Sequence, residues 1–452
     1  MSDVVDEVNS WLDENWDPDL TVGDWWERLG LAGWAAPTYP ENAYGKNLSR
    51  GDAVLVGNAI GEYGALGAPG GLGLLLAGPT IAHHGTQEQI ERYVRDIVTG
   101  QKAWCQLFSE PGAGSDLAGL QAKAEKDGDE WIVNGQKVWT SSGHIADLGM
   151  LIARTDPELP KHQGISYFGI DMHQDGIDIR PLREMTGRAL FNEVFLTDAV
   201  VADDALIGDR NNGWAVANTT LMFERAGLGS GGGSQGRSAA LPGTVAGHLD
   251  RRAGDFVTAA PKKSTAQDAT IARDQAKSEG DAKRTRSRSG TGHLSGMAAQ
   301  LHRVATANGS IADATVRDDL MRFHTLNEIG RINNLRVKGA RAQGRDIPGM
   351  PNISKLSMSN VVRLQRDLGL RIVGAAGMLH AYDDADKSAV VDATGISSIG
   401  TITELALFAQ APPIYGGTDQ VQRNIIGERV LGLPKEPNND RSTPFSDLPK
   451  NT

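Results

Sequence analysis

Up to about Gly100 the apolar residues recur at spacings of three and four, in "VVDEVNSWLDENW", "VGDWWERLGLAGW", "RGDAVLVGNAIGEYGAL" and "TQEQIERYVRDIV". That spacing predicts amphipathic helices. From Ala103 to about Val201 the period drops to two. "EWIVNGQKVWTSS" predicts a hairpin turning at Asn134–Gly135, because both residue types tolerate positive φ. "LGMLIART", "GISYFGIDM", "GIDIRPL" and "NEVFLTDAVV" predict further strands of a compact β-domain. After Asn212 the helical period returns in "GWAVANTTLMFERAGL" and resumes in "RDDLMRFHTLNEIGRINNLRVKGARAQ", "SKLSMSNVVRLQRDLGLRIVGAAGM" and "DQVQRNIIGERVLGL". Helices, then strands, then helices predict an α+β chain. Its expected parts are an N-terminal helical domain over 1–102, a middle β-domain over 103–210, a C-terminal helical domain over 211–435 and a polar tail over 436–452.

Two stretches depart from the pattern. From about Ala239 to Gly296 the chain is Ala, Ser, Thr, Gly, Lys, Arg and Asp, including "KRTRSRSG" at Lys283–Gly290. Few large apolar residues stand there, so little burial is expected, and a linker-like insertion is favoured over a patch for nucleic acid or an acidic partner. Gly64–Ala82 has the opposite character, with no charge over a length able to span a bilayer. Pro69, Pro79 and six glycines interrupt it, which suits a buried soluble element and not a membrane span.

Bulk properties narrow the classes. The 452 residues suffice for two or three cores. A net charge of −11 disfavours nucleic acid or an acidic membrane surface as partner. A single cysteine, Cys105, excludes an internal disulfide framework and fits a reducing, cytoplasmic setting. The acidic start "MSDVVDEVNS" lacks the apolar core of a secretory signal.

Candidate chemistry gathers at two places. In "LFSEPGAGSDLAGL", Leu107–Leu120, Pro111 and neighbouring glycines fix a turn with exposed backbone N–H groups, and Ser109 and Ser115 add hydroxyls. Such a loop wraps a polar ring or phosphate ester closely, although a turn of this composition is more often only a turn. In "TTLMFERAGLGSGGG", Thr219–Gly233, an apolar helix carries the adjacent charges Glu224 and Arg225. Charges there cost desolvation unless they pair or act, so the two readings are a structural ion pair and a catalytic acid with its support.

The loop, "VNGQKVWTSSGHIADLGMLIART", "GISYFGIDM", "RPLREMTGRALFNEVFLTDAVV", "LIGDRNNGWAVANTTLMFER" and "PPIYGGTDQVQRNIIGERVLGLP" follow one another in an order that resembles the acyl-CoA dehydrogenase family. The likeness covers nearly the whole chain except Ala239–Gly296 and the tail. "FNEVFLTD" and "MFERAGLG" are similar to bacterial members acting on sterol side chains. The resemblance implies a helical N-terminal domain, a β-barrel-like middle and a C-terminal helical bundle, with FAD between the last two. It implies that Phe108 and Ser109 meet the flavin ring, with Trp139 and Ser141 at its other edge and the Ser141 hydroxyl toward flavin N5. It places Gly114 in the cofactor loop, Ser115 against the CoA-bearing substrate, and Thr418 and Gln420 near the dinucleotide. Gly374 and Gly377 would allow close approach to that dinucleotide. By residue type alone, Trp139 reads as a core aromatic and Ser141 as a strand-end cap. No metal is implied.

Removing two hydrogens from an acyl thioester needs a base for the α-proton, a hydride acceptor, and donors for the developing enolate oxygen. Many relatives carry the base as a glutamate two residues before the threonine of an "IYxGT" turn. Gly416 stands there, followed by Gly417, and offers a backbone N–H to the thioester oxygen but no carboxylate. A minority carry the glutamate on the helix after the β-domain, and "LMFER" matches with Glu224 as base and Arg225 beside the substrate. The Arg-x-x-Phe-Gly segment that many relatives extend to a neighbouring subunit's FAD is not found, and Gly227–Gly236 is glycine-rich instead. Either a homo- or a hetero-oligomer is therefore expected, with electron-transfer flavoprotein as electron acceptor. Two rival readings stand beside the dehydrogenase: a non-catalytic subunit of a heteromeric enzyme, and a flavin oxidase or monooxygenase on the same scaffold.

Overall fold

Short polar side chains mark where the first helices begin. Helix α1 runs Asp3–Asn15, α2 Val22–Leu31 and α3 Arg50–Tyr63. Thr21 caps α2 by accepting from Asp24 N at 3.0 Å, and Ser49 caps α3 by accepting from Asp52 N at 3.2 Å. Gly64, at φ +85°, ends α3 in the left-handed conformation that favours glycine. Trp25 and Trp26 are fully buried, and their indoles donate to Leu66 O at 2.7 Å and Gly67 O at 2.8 Å. The uncharged stretch after α3 thus serves the helical core directly. It continues through a π-turn, Gly73–Ala77, into α4, Gly78–His84. A Cβ on Gly78 would stand 2.5 Å from Tyr39 Oη, so only glycine fits that crossing. The pieces α5, Gln87–Gln89, and α6, Arg95–Val98, complete the layer around a second π-turn. Among the described residues no single helix is long and apolar enough to cross a membrane.

The computed structural model describes residues 3–229, 239–257, 296–341, 343, 345–435, 437 and 442–449. Seven strands form one sheet: β1 Trp104–Leu107, β2 Lys123–Asp127, β3 Glu130–Lys137, β4 Leu148–Arg154, β5 Ile165–Asp171, β6 Ile177–Leu182 and β7 Phe191–Ala202. Strand β4 is central. It pairs with β5 antiparallel, with β1 in parallel, and with β2 at Lys123–Arg154. The order then continues β2, β3, β7, β6, and the sheet curls into a half-barrel. One face packs on the helical layer through Trp104, Phe108 and Tyr167, while the other encloses Cys105, Leu107, Trp131, Phe168 and Val194.

The hairpin expected at Asn134–Gly135 is not formed there. Strand β3 continues through both residues, and the β2–β3 reversal lies at Gly128, φ +56°. Across the β3–β7 pair Asn134 Nδ2 donates to Asp198 Oδ1, and Asn134 Oδ1 accepts from Asp198 N, both at 2.9 Å. At Gly135 the register shifts, and a Cβ would lie 2.5 Å from Ala122 Cβ. The glycine answers a close crossing, not a turn.

Helix α7, Gly213–Gly229, follows the sheet. Residues 239–257 differ from the linker expectation. Val22 N donates to Arg251 O and Gly23 N to Leu249 O, both at 2.8 Å, and Ala240 and Ala253 are buried. Asp147 anchors the segment by accepting from Ala103 N at 2.8 Å, from Thr244 N at 3.2 Å and from the Thr244 hydroxyl. Small side chains bury little area but let the backbone come close enough to pair, which a count of apolar residues does not register. The rest of the expected insertion, with the basic run Lys283–Gly290, lies outside the described residues. Within the polar tail expected over 436–452, the described segment 442–449 is docked through Phe445 N to Leu159 O at 3.0 Å.

The chain divides into two compact units. The first comprises Met1–Val257, Ile347–Ser359 and Gln410–Thr452; the second comprises Thr258–Asp346 and Asn360–Ala409. The later helices are α8 Gly296–Ala307, α9 Ala314–Arg341, α10 Met350–Val373, α11 Asp384–Thr394, α12 Ile399–Phe408 and α13 Asp419–Ile425. The second unit has its own core of Leu301, Leu320, Phe323, Leu368, Ile372 and Ile402.

Candidate active site

The loop after β1 is held from behind. Glu110 N and Ala113 N each donate to the other residue's carbonyl, at 3.1 and 3.0 Å, which closes a tight turn. The Glu110 carboxylate accepts from Gln121 N at 2.7 Å and Ala122 N at 2.9 Å, and pairs with Lys137 Nζ at 2.8 Å. Lys137 is fully buried and also donates to Phe108 O at 3.1 Å. Burial pulls its pKa below the ordinary lysine value, and Glu110 pushes it back up. A buried pair of this kind is costly to break and fixes the loop's base. Gly114 and Ser115 are left exposed at its tip.

Phe108 and Ser109 lie beside the segment after β3. Val138 N donates to Ser109 O at 2.9 Å, and Thr140 and Asn192 exchange backbone hydrogen bonds at 3.0 Å. Between these clamps Trp139 adopts φ +60° with 60% of its surface exposed. Residue type alone suggests a core aromatic; the chain instead holds a large ring outward in the left-handed region, a conformation that costs on the order of 1–3 kcal/mol. Ser141 follows, half-buried. The structure therefore brings Phe108, Ser109, Trp139 and Ser141 together.

Helix α7 reaches the same place. Tyr167, on β5, meets Phe108 edge to face at 5.9 Å between ring centroids. Its hydroxyl lies 3.3 Å from Thr220 Oγ1 on α7, which also shares a hydrogen bond with Thr80 at 3.0 Å. His84 Nε2 bonds the adjacent Thr219 at 2.8 Å. Glu224 stands one turn beyond Thr220, on the same side of the helix, and is half-buried. The side chain of Arg225 lies outside the described residues. Sequence reading missed Tyr167, Thr220 and Thr80, because a tyrosine in a strand and threonines in helices carry no motif by themselves.

The turn before α13 is a separate construction. Gly416 and Gly417 have φ +63° and +82°. Gln422 Nε2 donates to Gly416 O at 2.9 Å, and Asn352 Nδ2 donates to Gln422 Oε1 at 2.7 Å. Lys355 and Asp419 form a buried ion pair at 3.1 Å. The Thr418 hydroxyl caps α13 by accepting from Val421 N at 3.2 Å, and Gln420 is exposed. Gly374, φ +57°, belongs to the second unit.

Comparison with known proteins shows the family. Sequence models of the acyl-CoA dehydrogenase N-terminal, middle and C-terminal domains match residues 2–101, 105–199 and 294–431. The chain is 32% identical over 415 residues to acyl-CoA dehydrogenase IpdE1 of Mycobacterium tuberculosis, covering 91% of this chain and 88% of the relative. The chain belongs to the acyl-CoA dehydrogenase family. Acyl-CoA dehydrogenase FadE34 of the same organism is 48% identical over 203 residues, 45% of this chain and 28% of the relative. Among solved structures, the Tcur3481–Tcur3483 steroid ACAD superposes with a TM-score of 0.64 at 23% identity, over 96% of this chain and 97% of that one. Acyl-CoA dehydrogenases are oxidoreductases and FAD flavoproteins. The loop residues suit such a group. Buried Thr140 Oγ1 and Asn192 Oδ1, flanking Trp139 and Ser141, have no hydrogen-bond partner, nor does Gln106 Nε2, two residues before Phe108. Unpartnered polar atoms beside the loop and the segment that carries the exposed Trp139 ring are what a polar aromatic cofactor would satisfy.

Proposed function

We propose that this acyl-CoA dehydrogenase oxidises an acyl-CoA thioester to the 2-enoyl-CoA, with Glu224 removing the α-proton. The observation that carries the reading is the line Phe108–Tyr167–Thr220, which sets Glu224 one helical turn from side chains packed on the flavin-loop residue. Gly416 supports it, because the turn position where many relatives keep their base holds a glycine at φ +63°.

FAD, when bound, supplies the acceptor for the β-hydride. Phe108, Ser109, Trp139 and Ser141 would hold its ring and exclude water, with Thr418 and Gln420 toward the dinucleotide part. Ser115 would receive the CoA portion, and the Gly416 N–H would donate to the thioester oxygen as negative charge develops there. Glu224 takes the α-proton onto a carboxylate oxygen. An electron-transfer flavoprotein would serve as the electron acceptor. The steroid ACAD named among the structural neighbours supports a steroid-derived acyl group. The two-protein name of that neighbour, Tcur3481–Tcur3483, supports an oligomer, homomeric or heteromeric.

The test is anaerobic stopped-flow bleaching of the flavin by a panel of straight-chain, branched and steroid acyl-CoAs. Glu224→Gln keeps size and hydrogen-bonding reach but cannot take the proton. It is expected to retain FAD and slow bleaching by at least about 100-fold. Bleaching at the wild-type rate would leave Glu224 a structural residue.

A further inference from the structure

Arg154 closes β4 directly behind the loop that carries Ser115, and its side chain is buried. The guanidinium donates to Ala118 O at 2.6 Å and Leu120 O at 3.3 Å, both at the far end of that loop, and to Lys161 O at 2.7 Å. Lys161 in turn pairs with Asp116, the neighbour of Ser115, at 3.0 Å. The guanidinium carbon stands over the Phe445 ring, 3.7 Å from its centroid. Phe445 arrives from the far end of the chain. Its N–H donates to Leu159 O at 3.0 Å, Ser446 N donates to Pro157 O at 2.9 Å, and Pro444 bridges Pro160.

Burial lowers the Arg154 pKa to about 10, still high enough to keep the charge at neutral pH. A cation out of water needs compensation. Here the nearby Glu110 and Asp116 carboxylates, two loop carbonyls, a third carbonyl and one aromatic face provide it. The ring and the loop are therefore partners of one charge. Remove the ring, and water reaches the guanidinium and competes for it with Ala118 and Leu120.

We infer that Phe445 and Arg154 are positioning residues: residues 443–448 form a strap that sets, through Arg154, the Ser115 end of the loop for the CoA portion of the substrate. The inference rests on the role proposed for Ser115. A strap made late in the chain thus acts on a loop more than three hundred residues earlier in the sequence.

The test compares Phe445→Leu, which keeps an apolar side chain but removes the ring, with Phe445→Tyr, which keeps the ring. Binding of coenzyme A is measured by titration calorimetry on the flavin-loaded proteins, and KM and kcat with any acyl-CoA that bleaches the wild type. Phe445→Leu is expected to bind coenzyme A about tenfold more weakly and to raise KM alike, with kcat and flavin content unchanged. Phe445→Tyr is expected to match the wild type. Wild-type affinity in Phe445→Leu overturns the strap, as does a loss of affinity shared equally by Phe445→Tyr or accompanied by equal loss of flavin. A wild type that binds coenzyme A but is not bleached by any acyl-CoA overturns the proposed reaction while the calorimetry still judges the strap. A wild type that does not bind coenzyme A overturns the strap together with the role of Ser115.

Discussion

At Gly416 a single dihedral angle decides what engineering the site allows. Moving the carboxylate there, Gly416→Glu in the Glu224→Gln background, places a Cβ at φ +63°, where an L-residue costs roughly 1–2 kcal/mol. The expected outcome is no recovery of flavin bleaching together with a lower Tm. Gly416→Asn, which tolerates the left-handed region better, is expected to lose less Tm. Recovered bleaching at unchanged Tm would show that the turn relaxes. Trp139 is the reverse case, a side chain kept where glycine would be easier. Trp139→Gly is expected to leave the thermal stability of the flavin-free protein within about 1 kcal/mol of wild type. The same change should reduce retained FAD; a full flavin complement in Trp139→Gly would remove the tryptophan from the cofactor site. Cys105 gives a simpler check. Burial pushes its thiol up to about 12, so a thiol reagent at neutral pH should label it only after unfolding.

Single elements show where local pattern reading works and where it stops. The helical periods before Gly100 and after Asn212 announce real helices, because one apolar stripe has one outcome when a core is present. Asn134–Gly135 misleads because the same two residues satisfy a turn or a crossed strand, and the choice lies with Ala122 and Asp198, far away in sequence. Helix α7 carries its own testable linkage. His84 is half-buried against Thr219, and burial, with the charge of His83 second, lowers its pKa below the usual value near 6.5. The unfolded chain then binds the proton more readily than the folded one, so stability is lost as pH falls below that value. Urea midpoints at pH 5.5 and 7.5 should differ more in the wild type than in His84→Gln. Equal differences would mean that His84 does not report on the folding of this helix.

At the scale of the molecule, the candidate site divides into what motifs reveal and what only assembly reveals. Loop Leu107–Leu120, Glu224 and the Gly416 turn were legible because each has a local signature. Lys137, Arg154, Tyr167 and Phe445 were not, since a buried cation or a ring in a tail acquires meaning from partners tens or hundreds of residues distant. The stretch after Ala239 makes the same point by composition. It looked unable to pack, yet Thr244 binds buried Asp147, and Gly243 fits where a Cβ would lie 2.5 Å from both Ala103 Cβ and Asp147 Oδ2. Thr244→Val should cost about 1–3 kcal/mol by leaving part of that carboxylate unpaired, read as a shift of the urea midpoint. A change under about 0.5 kcal/mol would show that water replaces the hydroxyl.

The bridge between Thr21 and Arg252 has a temporal consequence. A ribosome delivers the N-terminus of α2 long before it delivers the segment around Leu249–Arg252 that receives Val22 N and Gly23 N. During that interval the helical layer can collapse, but one edge of it stays open to water and to other chains. Maturation of the first helices is therefore not finished until translation is past the middle of the chain, and nascent chains halted before Leu249 should be digested at the α1–α2 junction far faster than chains released after Val257.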